Sequence, residues 1–290
     1  MPPTETNRVT LLQILILGLV QGAAELLPVS SSAHVIVAEK LMGLDPSTPE
    51  MTFLLVMLHT GTMFAVIAYF WQSWRLNYLS SRAIFLATVK NIALATVVTG
   101  VAWLGLQKII EKVLLGGGDI ELLFSRLPLI AAALVAAGLL IIWSGRKASS
   151  DADDVEISTR QAAIVGLAQG LCLPFRGLSR SGTTISAGLL LGIGKRRIEV
   201  FSFALAVVLT PPAIGRELLR LLKAHPEVEQ PARLLELLKP GLTGAAFSFV
   251  GGLLALWLLS RLLEAGRWQI FGYYCLAFAA FTAGLACMGF

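Results

Sequence analysis

The sequence is poor in charge. Of its 290 residues only 14% are Asp, Glu, Lys or Arg, against 56% hydrophobic. Mean hydropathy is +0.76. Soluble domains carry about 25% charged residues, so a soluble globular fold is excluded and a polytopic membrane protein is expected. Cysteine is scarce too. Cys172, Cys275 and Cys287 form no CxxC pair and have no histidine at ligand spacing. They read as small apolar fillers, with no disulfide framework and no structural zinc. No Walker-type glycine loop or Rossmann fingerprint occurs, so no nucleotide site is suggested. No basic patch is interleaved with aromatics. The net charge of +5 reads as loops facing an anionic membrane surface, and no nucleic-acid partner is expected. The first eight residues, MPPTETNR, are too polar for a signal peptide and no small-residue cleavage site follows. The first apolar segment is therefore expected to stay in the mature protein.

What is abundant is apolar run. A spanning helix needs about 20 apolar residues. Eight segments are read, at roughly 9–38, 51–72, 83–107, 126–144, 160–193, 198–222, 240–262 and 269–289. The polar connections hold the charge, among them GKRR (194–197) and the acidic run DADDVE (151–156), which reads as a solvated loop. Two segments differ from the others. The first contains QGAAELLPVSSSAH (21–34) and the fifth contains GLAQGLCLPFRGLSRSGTTISAGLLLG (166–192). Both are near 30 residues long and broken in the middle by Pro, Gly and Ser. They also repeat: GLVQG (18–22) matches GLAQG (166–170), the LP at 27–28 matches that at 173–174, and SSS (30–32) matches SRS (179–181). The offset stays at 146–149 residues, about half the chain.

Irregular backbone inside a bilayer must be buried in protein or line a watery cavity. If each broken segment enters and leaves on one side, each half keeps three true spans. Three is odd, so the halves are inverted. Broken segments at matching positions of inverted halves point to a binding site near the midplane. The expected fold is an all-α integral membrane protein, one membrane domain over 1–290, with repeats at 9–144 and 160–290. It has about six transmembrane helices plus two re-entrant helical hairpins. Full crossing by both broken segments is the alternative and gives eight spans and parallel repeats; the central breaks favour hairpins. Lys and Arg divide almost evenly between the two sides. The denser clusters, GRK (145–147) and GKRR, lean toward a cytoplasmic face, with the termini outside.

The polar groups fall inside these breaks. Arg176 and Arg180 stand in apolar sequence, where a charge costs roughly 2.5–3.5 kcal/mol on insertion scales. Around Arg180 are Ser179, Ser181, Gly182, Thr183 and Thr184, and a helix-like run begins at once. Backbone N–H groups beside glycine, hydroxyls, a helix N-terminus and a guanidinium fork together suit an oxyanion. The plainer reading is a helix cap with a snorkelling arginine; two arginines four apart exceed what a cap needs. The first break is complementary. Gln21 and Glu25 lie one turn apart, and Ser30, Ser31, Ser32 and His34 follow. Carboxylate, hydroxyl and imidazole supply a metal or base ligand, a nucleophile and a proton carrier. Any one of the serines could instead be a cap, and His34 a packing residue. His59, in MLHTGT, has fewer polar companions and reads as a packing or supporting residue. His225 reads as solvated, and KRR (195–197) as a topology signal.

These residues resemble a known family, the undecaprenyl-diphosphate phosphatases of the bacitracin-resistance type. Its signatures are an (E/Q)xxxE stretch running into PVSSxGH, and PGxSRSGxT. Gln21, Glu25, Ser31 and His34 match the first. Ser179, Arg180, Ser181 and Thr184 match the second. The similarity continues through RRIEVFSFALAVVLTPPA (196–213) and FGYY (271–274) and covers most of the chain. There are three departures: Arg176 stands where the family usually has Pro, Ala33 replaces a Gly, and Gln21 replaces the glutamate of many members. The resemblance implies hydrolysis of the terminal phosphate of a C55-type polyprenyl diphosphate in a bacterial cell (inner) membrane, assisted by Mg²⁺ or Ca²⁺, with a homodimer left open. On that basis the catalytic set is Glu25, Ser31, His34 and Arg180, with Glu25 also the metal ligand. Gln21, Ser30, Arg176, Ser179, Ser181 and Thr184 are the substrate-binding set. Whether Ser31 attacks or His34 activates a water stays open. The rival expectation is a transporter or flippase of polyprenyl phosphate, because inverted repeats with broken helices also build alternating-access carriers.

Overall fold

A computed structural model describes residues 9–45, 48–117, 120, 123, 126–147, 156–224 and 231–289; His225 and all but the last residue of DADDVE lie outside them. Ten α-helices account for most of the described residues, with no strand among them. In chain order they are α1 (Leu11–Leu26), α2 (Ser31–Leu41), α3 (Pro49–Asn77), α4 (Arg82–Ile109), α5 (Leu127–Lys147), α6 (Thr159–Cys172), α7 (Arg180–Leu190), α8 (Lys195–Ala224), α9 (Pro231–Glu264) and α10 (Gln269–Cys287). A short π-helical turn, Ile110–Leu114, extends α4.

Six helices, α3, α4, α5, α8, α9 and α10, contain stretches long and apolar enough to cross a membrane. The chain is therefore a multi-pass, all-α membrane protein. The other four helices are too short to cross. At 1.5 Å per residue, the 16 residues of α1 reach about 24 Å and the 11 of α2 about 17 Å, against a hydrocarbon core of about 30 Å. These four are the arms of the two broken segments. Their breaks have local causes. Pro28 and Pro174 follow the ends of α1 and α6 and cannot donate an N–H to extend them. Ser30 and Ser179 then turn the chain at φ +68° and +48°. They are the only described non-glycine residues with positive φ, a conformation that costs of order 1–3 kcal/mol.

The helices that enter the two breaks also begin alike. Thr10 caps α1 in a capping box with Gln13, and Ser158 caps α6 in a capping box with Gln161. Each pairs a hydroxyl with an N3 amide, satisfying two orphan N–H groups. Both helices then cross a partner from the opposite half of the chain at close range. α1 lies along α9, and α6 along α4. Close approach is what Gly22 and Gly170 permit: a Cβ at Gly22 would sit 2.7 Å from the Ser248 carbonyl oxygen, and one at Gly170 2.6 Å from that of Thr99. Small residues at spacing four let helix backbones touch within a bilayer. The Thr99 hydroxyl closes the second crossing, donating to the Ala95 and Gly166 carbonyls at 2.7 and 2.9 Å.

The buried centre is aliphatic and aromatic. Leu26, Val165, Ile185, Phe201, Phe203, Leu256, Leu259 and Trp268 form one cluster that ties both broken segments to α8 and α9. Large apolar side chains such as Leu11, Val97, Val101 and Leu254 face outward, each more than 60% exposed. In water such a surface would aggregate; in a bilayer it is the solvated face. Cys172 and Cys275 are buried, and Cys287 is exposed; all three are free.

Candidate active site

Glu25 is the hub. It sits one residue from the end of α1, with its side chain 14% exposed. Arg180, the first residue of α7, donates Nη2 to Glu25 Oε1 at 2.7 Å. The other carboxylate oxygen, Oε2, accepts the Ser31 hydroxyl in a short hydrogen bond and the Gln21 amide Nε2 at 3.2 Å. His59 Nε2 stands 3.5 Å from the same Oε2. Four residues from α1, α2 and α3 thus meet one from α7, 155 positions further along than Glu25.

Ionic attraction alone does not justify such a pair. Removing one partner of a buried ion pair costs about 3–5 kcal/mol, whereas apolar replacement of both is often neutral. A carboxylate and a guanidinium held at the end of two short helices are better explained by chemistry than by stability. Arg180 is braced from behind. Nη1 reaches toward the Ser202 carbonyl at 3.5 Å, and the Ser202 and Thr184 hydroxyls bond at 2.6 Å. Thr184 also donates to the Arg180 carbonyl at 2.9 Å.

The remaining expected residues are distributed around this hub. Thr184 is fully buried against Ser202 and faces protein. The Ser181 hydroxyl points to the Leu27 carbonyl at 3.4 Å, linking the two breaks. Ser179 caps α7, its Oγ accepting from the Gly182 N–H at 3.2 Å. Ser30 turns the first break, its Oγ 3.3 Å from that of Ser32. Arg176 lies in the second break with its charge toward the buried carboxyl of Glu39. His34 is directed away from Glu25: Nδ1 donates to the Ser30 carbonyl at 2.8 Å, Nε2 meets the Tyr274 hydroxyl at 2.8 Å, and the ring stacks on Phe278 at 3.8 Å.

Three contributors were not singled out from sequence: the proximity of His59 to Glu25, the brace at Ser202, and Tyr274 over His34. The signal for His59 was available, since any ionisable residue inside a span is a functional candidate. Ser202 and Tyr274 lie in the stretches 196–213 and 271–274 that carry the family resemblance, but nothing local says which residue each meets, because Thr184 is 18 positions from Ser202 and His34 is 240 from Tyr274.

A separate cavity of about 710 Å³ lies along α8 toward its start. Arg196, Arg197, Glu199, Ser260 and Glu264 line it. The Ser260 hydroxyl donates to the buried Glu199 carboxyl at 2.7 Å. Glu199 is one helical turn from Ser202, yet neither Glu25 nor Arg180 borders this cavity.

Comparison with known proteins agrees with the motifs. Residues 14–281 match the family model described as bacitracin resistance protein BacA. Undecaprenyl-diphosphatase 2 of Acinetobacter baylyi is 54% identical over 286 residues, covering 97% of this chain and 100% of its own. An undecaprenyl-diphosphatase of Thermomicrobium roseum is 35% identical across 91% of this chain and 94% of its own. One of Methanosphaera stadtmanae is 29% identical across the same shares. With the match spanning nearly all of the sequence, and with Glu25 and Arg180 joined across the two breaks, the chain belongs to the bacitracin resistance protein BacA family.

Proposed function

We propose that the chain hydrolyses undecaprenyl diphosphate to the monophosphate and inorganic phosphate. The observation that carries this reading is the Ser31–Glu25–Arg180 constellation, together with the names of the full-length relatives. Ser31 is the nucleophile. Its hydroxyl already donates to Glu25, so a base is in contact with the proton it must remove. Arg180 uses one N–H on Glu25 and one, at long range, on Ser202. A guanidinium has five N–H donors, leaving others for the terminal phosphoryl oxygens. As Ser31 Oγ bonds to the terminal phosphorus, Glu25 takes its proton and the bond from phosphorus to the bridging oxygen breaks. Polyprenyl monophosphate leaves. Glu25 gives that proton up to solvent; water then attacks the phosphoserine, Glu25 takes a proton from the water, and this second proton passes to Ser31 Oγ as phosphate departs.

A divalent cation, Mg²⁺ or Ca²⁺, fits beside this set. Gln21 Oε1 is buried without a hydrogen-bond partner, next to Glu25. Among the described residues no cluster of three His, Cys, Asp or Glu side chains could hold a metal by itself. The donor set therefore suits a cation shared with phosphate oxygens, the usual habit of Mg²⁺. Bound there, it supplies neutralisation of phosphate charge. Chelation with EDTA is expected to lower turnover while leaving thermal unfolding of the protein unchanged.

We also read the two broken segments as re-entrant hairpins of inverted halves. The short arms, the matched capping boxes and the matched crossings on α9 and α4 support this reading. His59 is ten residues into α3, about 15 Å from its start, near the middle of a 30 Å core. A lipid diphosphate would reach that depth sideways. The membrane is that of a bacterial cell (inner membrane).

The test is phosphate release from polyprenyl diphosphate by purified protein in detergent. Arg180→Ala is expected to lower kcat by about 10²–10³-fold. Wild-type rates in that variant would remove Arg180 from the mechanism. Absence of phosphate release by the unmodified protein would sink the hydrolase reading, since a pure carrier releases none.

A further inference from the structure

The cavity of about 710 Å³ along the start of α8 takes no part in the reaction proposed above. Its volume lies within the roughly 300–1,000 Å³ usual for a small-ligand site. Three spans end around it. The span in α3 stops at Leu76, that in α8 starts at Lys195, and that in α9 stops at Glu264. Trp71, Trp74 and Tyr78 stand about one turn apart at the end of α3. Amphipathic rings of this kind collect at the level of the lipid headgroups. The cavity therefore sits at headgroup depth.

Its charges stand at unfavourable ends of their own helices. A helix N-terminus carries about half a positive charge and a C-terminus about half a negative one. Arg196 and Arg197 are the second and third residues of α8, and Glu264 is the last residue of α9. Among the described residues no ion pair joins Arg196 to Glu199 or to Glu264. Helix stability does not account for this placement; a ligand carrying both signs of charge does. A phosphodiester at the start of α8 offsets two guanidiniums and the positive helix end together. A primary ammonium beside Glu264 offsets that carboxylate and the negative end of α9. The Glu199 carboxyl is 2% exposed, holds the Ser260 hydroxyl at 2.7 Å and offers a second acceptor. The Tyr78 hydroxyl, also on the lining, is buried without a hydrogen-bond partner and can donate to a phosphate oxygen. Two basic side chains face two acidic ones, so the lining opposes a ligand with several negative charges, such as a diphosphate.

We infer that this cavity is a second lipid site, built for the headgroup of a zwitterionic phospholipid. Arg196, Arg197 and Tyr78 take its phosphodiester, and Glu264 and Glu199 take a primary ammonium. Leu76, on the lining and 59% exposed, marks where the acyl chains leave toward the bilayer. A phosphodiester has no terminal phosphate to lose, so this lipid is bound and not turned over.

The test titrates the delipidated full chain, in detergent, with short-chain phospholipids and reads binding by native mass spectrometry. Phosphatidylethanolamine is expected to bind at least about ten-fold more tightly than phosphatidylcholine, whose quaternary ammonium has no N–H, or phosphatidylglycerol, which has no ammonium. Glu264→Gln should abolish that preference, and Arg196→Gln should weaken all three lipids. Both side chains are exposed, so neither variant should change the melting temperature in lipid-free detergent. Equal affinity of the unmodified chain for the three lipids overturns the inference, as does a preference that survives Glu264→Gln. That comparison of lipids needs no variant, so it decides the matter even where a substitution impairs folding. Soluble glycerophosphoethanolamine separates a lipid from a free headgroup. It should compete only at about 100-fold or greater excess, because it lacks the acyl chains; competition at equal concentration overturns a lipid occupant.

Discussion

At the scale of single residues, the site is one carboxylate gripped from four directions. Ser31 and Arg180 occupy different oxygens of Glu25, so each can be altered without displacing the other. Ser31→Ala is expected to remove about 10³-fold or more of kcat, with Arg180 still bound to Glu25; wild-type phosphate release in that variant would reject Ser31 as nucleophile. Arg180→Lys keeps the charge but not the fork, so it should recover little of what Arg180→Ala loses. The strained serines make a separate forecast. Ser30 makes no capping hydrogen bond to the backbone of its helix at φ +68°. Ser30→Gly should therefore be neutral or stabilising by thermal unfolding in detergent, while Ser30→Val should cost about 1–3 kcal/mol. Legibility at this scale was uneven. Glu25, Ser31 and Arg180 stood out because a polar group inside an apolar run costs too much to be idle. Thr184 stood out for the same reason and yet is engaged by Ser202. Local sequence reports that a hydroxyl is present, not which neighbour it faces. That His59 meets Glu25 was not legible, because Glu25 lies 34 positions away, on another helix.

At the scale of helices, the broken segments were legible in detail. Pro28, Pro174 and the serine clusters punctuate the apolar runs where the helices stop, and GLVQG and GLAQG fall in α1 and α6, the helices that enter the two breaks. The partners of those arms were not legible. That α1 lies on α9 and α6 on α4 depends on pairs such as Gly22 with Ser248, whose meeting no local pattern encodes. These crossings are expected to be intolerant of bulk. Gly22→Leu and Gly170→Leu should each destabilise the protein by at least about 1–3 kcal/mol, the usual cost of overpacking. Gly100→Leu is the comparison, since nothing lies within 4 Å of a Cβ there; its melting temperature should stay near that of the unmodified chain. Equal losses at all three positions would show that the crossings are looser than drawn.

At the scale of the whole molecule, the six long helices follow from composition, and the hairpin reading can be tested by which side of the membrane each connection meets. Single cysteines at Val9 and Leu44 should react with an impermeant maleimide from one side, and those at Ile157 and Gly192 from the other, in a background with the native cysteines replaced. Labelling of positions 9 and 44 from opposite sides would mean that the first broken segment crosses, and the eight-span arrangement would follow if 157 and 192 were also labelled from opposite sides. The ion pair between Glu25 and Arg180 also has a consequence in time. A ribosome adds about 5–20 residues per second, so the 155 residues between the partners take roughly 10–30 s to make. Gly22 waits longer still, because Ser248 comes later. Through that interval the nascent amino-terminal arm holds an acidic side chain with no counter-ion and a helix face with nothing to rest on. Its final seating is therefore among the last events of biogenesis. Chains arrested before Arg180 is made should leave Glu25 reachable by aqueous reagents, and chains extended through α9 should not.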